Sequence, residues 1–240
     1  MKEETAEKIQ NTTDKLRSEY LNDTTMKLTS TQKTAIQKLF ENGVERAATM
    51  LNYLTETSVS LQLSPLQLMS QEQLQVYLHQ RIGENSVSAV RLVIKGELSA
   101  IGTLLFPADA SEKLVQVIAT EQRRKLDLDA VTKQTLNEVG NIFFNGVMGS
   151  ISYAIRGGIT YMAPRYVEGK VDSLVAKSRA AKPSPILFWH TAVKIEPKSG
   201  NLLSFIEKFR GRDRSKEILF FFQIEPLEMF IKAIEKVYNN

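Results

Sequence analysis

From Leu28 onward the chain switches between two hydrophobic periods. Ile36, Leu39, Phe40, Val44, Ala47, Ala48, Leu51 and Leu54 form one apolar stripe at helical spacing, on a helix that Ser30 can cap and that should end near Thr55. Ser58-Val59-Ser60-Leu61-Gln62-Leu63 then alternates with period two, as a half-buried strand does, and Ser64-Pro65 stops it. The runs 74–80, 89–96 and 100–106 have the apolar content and flanking glycines of strands. Residues 107–120 predict a short helix, with Asp109 or Ser111 near its start and Leu114, Val115, Val117 and Ile118 on its inner face. A polar, basic link, EQRRK, follows. A second long helix is expected from Asp127 or Asp129 to about Ala154, broken by Gly157-Gly158, and then a strand over 159–162 that ends at Pro164. Residues 168–185, rich in Lys, Ser, Ala and Pro, are the loop candidate. Runs 186–195 and 217–224 predict an antiparallel pair, and 226–238 a closing helix. The sum is α+β: a mainly antiparallel sheet packed with two long helices and shorter ones.

The pattern contains a repeat. With the numbering offset by 100, Lys38 falls over Glu138, Glu41 over Asn141, Val44 over Phe144, Ala47 over Val147 and Leu51 over Ile151, and Ser64-Pro65 falls over Pro164. Helix, break, strand and proline recur in the same order. The expected organisation is a polar N-terminal helical extension over residues 1–27 and one domain over 28–240, made of two degenerate halves at about 28–125 and 126–240. The extension has only Ile9, Leu16, Tyr20, Leu21 and Met26 as sizeable apolar anchors.

Composition narrows the chemistry. With 42% hydrophobic and 24% charged residues among 240, the chain is of ordinary globular type, and a net charge of +4 is far from the bias of a dedicated nucleic-acid binder. There is no cysteine, and His79 and His190 are the only histidines, so thiolate and histidine-rich metal sites are excluded and histidine-based hydrolases are disfavoured. No apolar run reaches the ~20 residues of a bilayer span, and MKEETAEKIQNTTDKLRSEY is too polar for a signal peptide, so the expected location is the cytoplasm, without membrane insertion. Lys208, Arg210, Arg212, Arg214 and Lys216 form a basic stretch that reads as a solvated loop, since no aromatic residues are interleaved for base stacking. Gly157-Gly158 and Gly211 match no phosphate-loop spacing. Trp189 and Phe220-Phe221-Phe222 read as core and sheet residues.

What remains is a polar stripe on the second long helix. Its apolar face is Leu136, Val139, Ile142, Phe143, Val147 and Ile151, while Gln134, Glu138, Asn141 and Asn145 recur at steps of four, three and four and share one outward stripe. Such a stripe is commonly a solvated face. Two asparagines in mid-helix weaken it, however, which points to another use. Glu138-x-x-Asn141 followed after twenty-two residues by Pro164, within LNEVGNIFFNGVMGS, resembles the active-site signature of the CheC, CheX and FliY phosphatases of bacterial chemotaxis. The family's pattern is Asp or Ser, three residues, Glu, two residues, Asn, twenty-two residues, Pro. ELSAIGTLLFPADASEKLVQVI and EILFFFQIEPLEMFIKAIEKV extend the resemblance over roughly residues 28–240.

The resemblance implies a CheC-like pseudo-two-fold domain that hydrolyses the aspartyl phosphate of a CheY-type response regulator. Asn141 would orient a water in line with the phosphorus, Glu138 would engage a lysine of the regulator, and Pro164 would set a supporting turn. The chain would need no cofactor of its own, because the regulator brings its own Mg2+. Two departures stand out. Gln134 occupies the place of the Asp or Ser, and the first half has Lys38 and Glu41 where an active half would have Glu and Asn, so only the second site looks competent. Lys38 and Glu41 read as a surface ion pair. The alternative is a non-catalytic module of the same fold that binds a regulator or a flagellar switch protein. A CheD-like deamidase is a further partner known for some members, with no residue here assignable to it.

Overall fold

The computed structural model describes residues 27–55, 57–96, 99–118, 127–155, 159–175, 184–197 and 215–238. The N-terminal extension up to residue 26, the EQRRK link, the Gly157-Gly158 break and the basic residues 208–214 lie outside the described residues, as do 176–183 of the expected loop.

Helix α1 (Ser30–Leu54) starts on a capping box. The Thr29 hydroxyl accepts from the Gln32 N–H at 3.1 Å, and the Gln32 side chain accepts from the Thr29 N–H at 2.8 Å. Thr29 therefore caps the helix in place of Ser30, because only Thr29 has a glutamine three residues on. Strands β1 (Thr57–Leu63) and β2 (Gln67–Met69) follow, then α2 (Gln71–Ile82). Helix α2 replaces the strand expected over 74–80. Leu74, Val76 and Leu78 alternate in sequence, but the second capping box, Ser70 with Gln73, commits the segment to a helix. That helix buries Leu74 and Leu78 one turn apart and leaves Val76 56% exposed. Gly83, at φ 77°, ends it.

Strands β3 (Val87–Gly96) and β4 (Ser99–Phe106) cover the strands expected over 89–96 and 100–106 and pair antiparallel, followed by α3 (Ala108–Ile118) and the long α4 (Leu128–Ile155). Strand β5 (Ile159–Tyr161) stops before Pro164, which is buried in the link to β6 (Arg165–Gly169). The loop expected over 168–185 thus begins inside β6 and continues into a single helical turn, α5 (Val171–Leu174). Periodicity concealed both, because β6 is an outer strand and α5 holds only Val171 and Leu174 in the core. Strands β7 (Ile186–Pro197) and β8 (Ser215–Glu225) and helix α6 (Leu227–Tyr238) complete the chain.

The sheet is antiparallel throughout, in the order β1-β7-β8-β4-β3-β5, with β2 also on β7 and β6 also on β3. This pairing list is unchanged when β1 to β4 are exchanged with β5 to β8 in order. Each half thus sends its first two strands to the hairpin of the other half, and β4 pairs with β8 at the centre.

The two faces of the sheet carry separate cores. Trp189, Phe220 and Phe222 point to one face, against Phe40 of α1 and the α4 side chains Phe143 and Phe144; Phe188, Leu219 and Phe221 point to the other, against α2 and α5. Trp189 and Phe220 stack at 5.3 Å, and Phe40 meets Trp189 at 4.5 Å. On the first face α1 and α4 cross with almost no spacing. A Cβ on Gly43 would lie 2.6 Å from the Val147 Cα, and one on Gly146 would overlap Gly43 and Ala47. Val44, Ala47 and Leu51 and their offset mates Phe144, Val147 and Ile151 are all buried beside this crossing.

Candidate functional site

The α4 crossing turns one narrow strip of that helix outward. Leu136, Val139, Phe143, Val147 and Ile151 are buried and Ile142 is half-buried, whereas Gln134 and Asn145 are exposed and Glu138 and Asn141 are half-buried between them. Gly140 sets how closely this strip lies to the sheet, since a Cβ there would come within 2.5 Å of the Val90 Cβ. Glu138 and Asn141 are thus held on a rigid helix seated on β3, one turn apart and facing the same way.

Hydrogen bonding distinguishes the members of the strip. The Gln134 Nε2 donates to Glu138 Oε1 at 3.4 Å, so the residue at the departing motif position holds the carboxylate it precedes. The Asn141 Oδ1 is shielded from solvent and has no hydrogen-bond partner, and the same is true of Asn137 Oδ1 one turn earlier. An unsatisfied buried amide oxygen costs on the order of 1–3 kcal/mol, and such groups concentrate where a ligand or water completes the set. Beside the strip, Lys133 Nζ lies 2.7 Å from Asp129 and 3.8 Å from Glu168. Its hydrogen bond to Asp129 holds the ammonium above the usual lysine range. Tyr166 of β6 shares a hydrogen bond with Ser88 at 2.8 Å and donates to Glu168 at 3.3 Å, with burial raising its phenol. Pro164 stands immediately before β6, which packs on α4.

The first half presents a different arrangement at the same offset positions. Lys38 and Glu41 are exposed on α1, and Glu41 accepts from Gln37 Nε2 at 2.8 Å in place of the ion pair with Lys38. That same Gln37 Nε2 donates to the Ser64 carbonyl at 3.0 Å, while its Oε1 accepts from the Leu66 N–H and from Trp189 Nε1, both at 2.9 Å. Gln37 stands where Asn137 stands in the second half. Every polar atom of its amide is used inside the molecule.

Two clefts flank these positions. One of about 610 Å³ opens at the N-terminal end of α4, between Leu128, Thr132, Arg81, Asp109 and Glu112; one of about 340 Å³ lies beside Lys38, between the start of α1 and Glu235. Neither is lined by Glu138 or Asn141, which lie on an open helix face suited to a macromolecular partner rather than a small ligand. Among the described residues no group of three His, Asp or Glu side chains is placed to hold a metal ion, and no helix is long and apolar enough to cross a membrane. The structure adds Gln37 and Asn137 to the site residues read from the motif. The offset of 100 was the available signal, since it superposes these two amides.

No protein-family model matches the chain. Its fold does match solved structures. FliY of Thermotoga maritima is 11% identical with a TM-score of 0.64, over 88% of this chain and 99% of that one. The FliM middle domain from H. pylori is 10% identical with a TM-score of 0.59, over 86% and 99%. FliM in a FliG–FliM complex from H. pylori is 10% identical with a TM-score of 0.57, over 85% and 100%. At these identities the likeness is one of architecture. The chain has the α+β fold of FliY, which is also that of the FliM middle domain.

Proposed function

We propose that this chain is a phosphatase for the aspartyl phosphate of a CheY-type response regulator, working through one site, Glu138 and Asn141 on α4. The observation that carries this reading is the contrast between the halves. The first-half strip is tied up by Gln37 bonds to Ser64, Leu66, Trp189 and Glu41, while the second-half strip keeps two amide oxygens with no protein partner.

The chemistry asked of these residues is modest. An acyl phosphate is already activated, and the regulator supplies the Mg2+ that neutralises the phosphoryl oxygens, so the remaining requirement is a water placed in line with phosphorus. An amide has both a donor and an acceptor and can fix such a water without a proton transfer of its own. Glu138, one turn away and held by Gln134, offers a carboxylate to a lysine of the regulator and so sets the register of α4 against it. Pro164 and β6 support α4 from below.

Replacing Asn141 with alanine should leave regulator binding within about twofold and remove the acceleration of hydrolysis, whereas Glu138→Ala should weaken both, by roughly tenfold or more for a lost charge-assisted contact. Phosphate release and binding titration separate the two effects. Full activity in both variants contradicts the assignment.

A second reading has its own support. The FliM middle domain shares this fold, and one of the matched structures is a complex of FliM with FliG. A chain used in that way would bind a switch protein of the FliG kind, a regulator or a CheD-like deamidase without hydrolysing anything. Tight association with an unchanged phosphate lifetime would select it.

A further inference from the structure

The two long helices correspond position by position. All eight buried residues of α1 have a buried residue 100 positions on in α4. The strands beside them correspond as well. In the first half the Ser64 N–H donates to the His190 carbonyl at 2.8 Å, and Phe188, two residues from His190, pairs with Gln67. Leu66, next to Gln67, therefore turns its N–H away from β7. In the second half the Met162 N–H donates to the Val93 carbonyl at 3.2 Å, and Arg91, two residues from Val93, pairs with Arg165. Tyr166, next to Arg165, therefore turns its N–H away from β3. Positions 37 and 137 thus have equivalent backbone groups beside them, those of Ser64 and Leu66 in one half and of Pro164 and Tyr166 in the other.

What differs is the side chain. The Gln37 Oε1 accepts from the Leu66 N–H at 2.9 Å, while its Nε2 donates to the Ser64 carbonyl at 3.0 Å and to Glu41 Oε1, one turn further along α1, at 2.8 Å. One amide latches the helix to the strand link and also captures residue 41, the offset mate of Asn141. Asn137 is shorter by one methylene, and its Oδ1 accepts from no protein group, Tyr166 included. The Asn141 Oδ1 likewise has no partner. Glutamine and asparagine four residues apart on a helix form a hydrogen-bonded pair. A glutamine at position 137 would therefore reach Asn141 as Gln37 reaches Glu41.

We infer that the length of the side chain at position 137 decides whether the α4 site is open. A glutamine there latches α4 to Pro164 and Tyr166 and takes up the Asn141 oxygen that the attacking water requires; asparagine makes neither bond and leaves that oxygen available. Asn137 is thus a positioning residue that acts through Asn141. The inference rests on the role proposed for Asn141 and names what keeps that amide ready for it.

Comparing Asn137→Gln with Asn137→Met in the full chain tests it. The two replacements have the same length and nearly the same helix propensity, and only the glutamine can make the latch. With a phosphorylated CheY-type regulator and Mg2+, kcat of Asn137→Gln should fall about tenfold or more below that of Asn137→Met. KM should agree within about twofold, since Glu138 still meets the regulator. The thermal unfolding midpoint of Asn137→Gln should lie about 2 °C or more above that of Asn137→Met, because the latch adds hydrogen bonds to the folded state. Equal kcat in the two variants overturns the inference, and so do equal midpoints. An unmodified chain that leaves the phosphate lifetime unchanged refutes the reaction assigned to α4 and this inference with it, whereas a loss confined to Asn137→Gln upholds both.

Discussion

Gln37 and Asn137 occupy the same offset position in the two halves and have opposite surroundings. The Gln37 amide joins α1 to the Ser64 carbonyl, the Leu66 N–H and the indole N–H of the fully buried Trp189. Gln37→Ala would strand all three groups, and a loss of about 2–3 kcal/mol in unfolding free energy is expected, read from the denaturant midpoint at unchanged slope. Phosphatase activity should survive that change, because the first-half strip takes no part in the proposed reaction. The Glu138 and Asn141 pair was legible in sequence from its helical spacing and its motif. The role of Gln37 was not, since Gln37 meets Trp189 across 152 positions of sequence.

At the scale of elements, the long amphipathic helices were legible because each buries one face with a sustained period, and the strands β3 and β4 and the pair β7 and β8 because their apolar runs fill both faces of the sheet. Helix α2 was misread because Leu74, Val76 and Leu78 satisfy a strand pattern as well as a helical one, and only the Ser70 and Gln73 capping box decides between them. The close α1–α4 crossing left no periodic signal, only Gly43 and Gly146. Gly43→Val should cost on the order of 1–3 kcal/mol by overpacking, since the Val147 backbone has nowhere to move; a thermal unfolding scan checks this. A second contact between elements is pH-dependent. His79 of α2 lies 3.1 Å from Asp172 of α5 and 3.4 Å from Glu84, and the hydrogen bond to Asp172, foremost, raises its pKa above the ordinary 6.5. A folded-state pKa above the unfolded one means that this clasp contributes fully below pH 6.5 and is lost as pH rises through the raised value. The stability difference between the unmodified chain and Asp172→Asn should therefore shrink on going from mildly acidic to alkaline pH. It should also shrink with added salt, because the groups are largely exposed. A difference that grows with pH would contradict the assignment.

For the whole molecule, strands are exchanged between the halves and the two long helices lie side by side on one sheet face, with their polar strips facing out. The sequence offset marked the two helices as equivalent positions, but not that they touch or that each half completes the other half's sheet, since register between distant strands leaves no local trace. The two halves are asymmetric within a symmetric frame: the Gln37 amide of the first is fully bonded inside the molecule, while the Asn137 and Asn141 amide oxygens of the second are buried without a protein partner. The most direct test is the lifetime of the phosphoryl group on a CheY-type regulator with Mg2+ present, alone, with this protein, with Asn141→Ala and with Gln37→Ala. A lifetime shortened by the unmodified protein and by Gln37→Ala, and restored to the unassisted value by Asn141→Ala, is the expected result. A shortening that persists in Asn141→Ala would contradict the assignment of that amide to the attacking water.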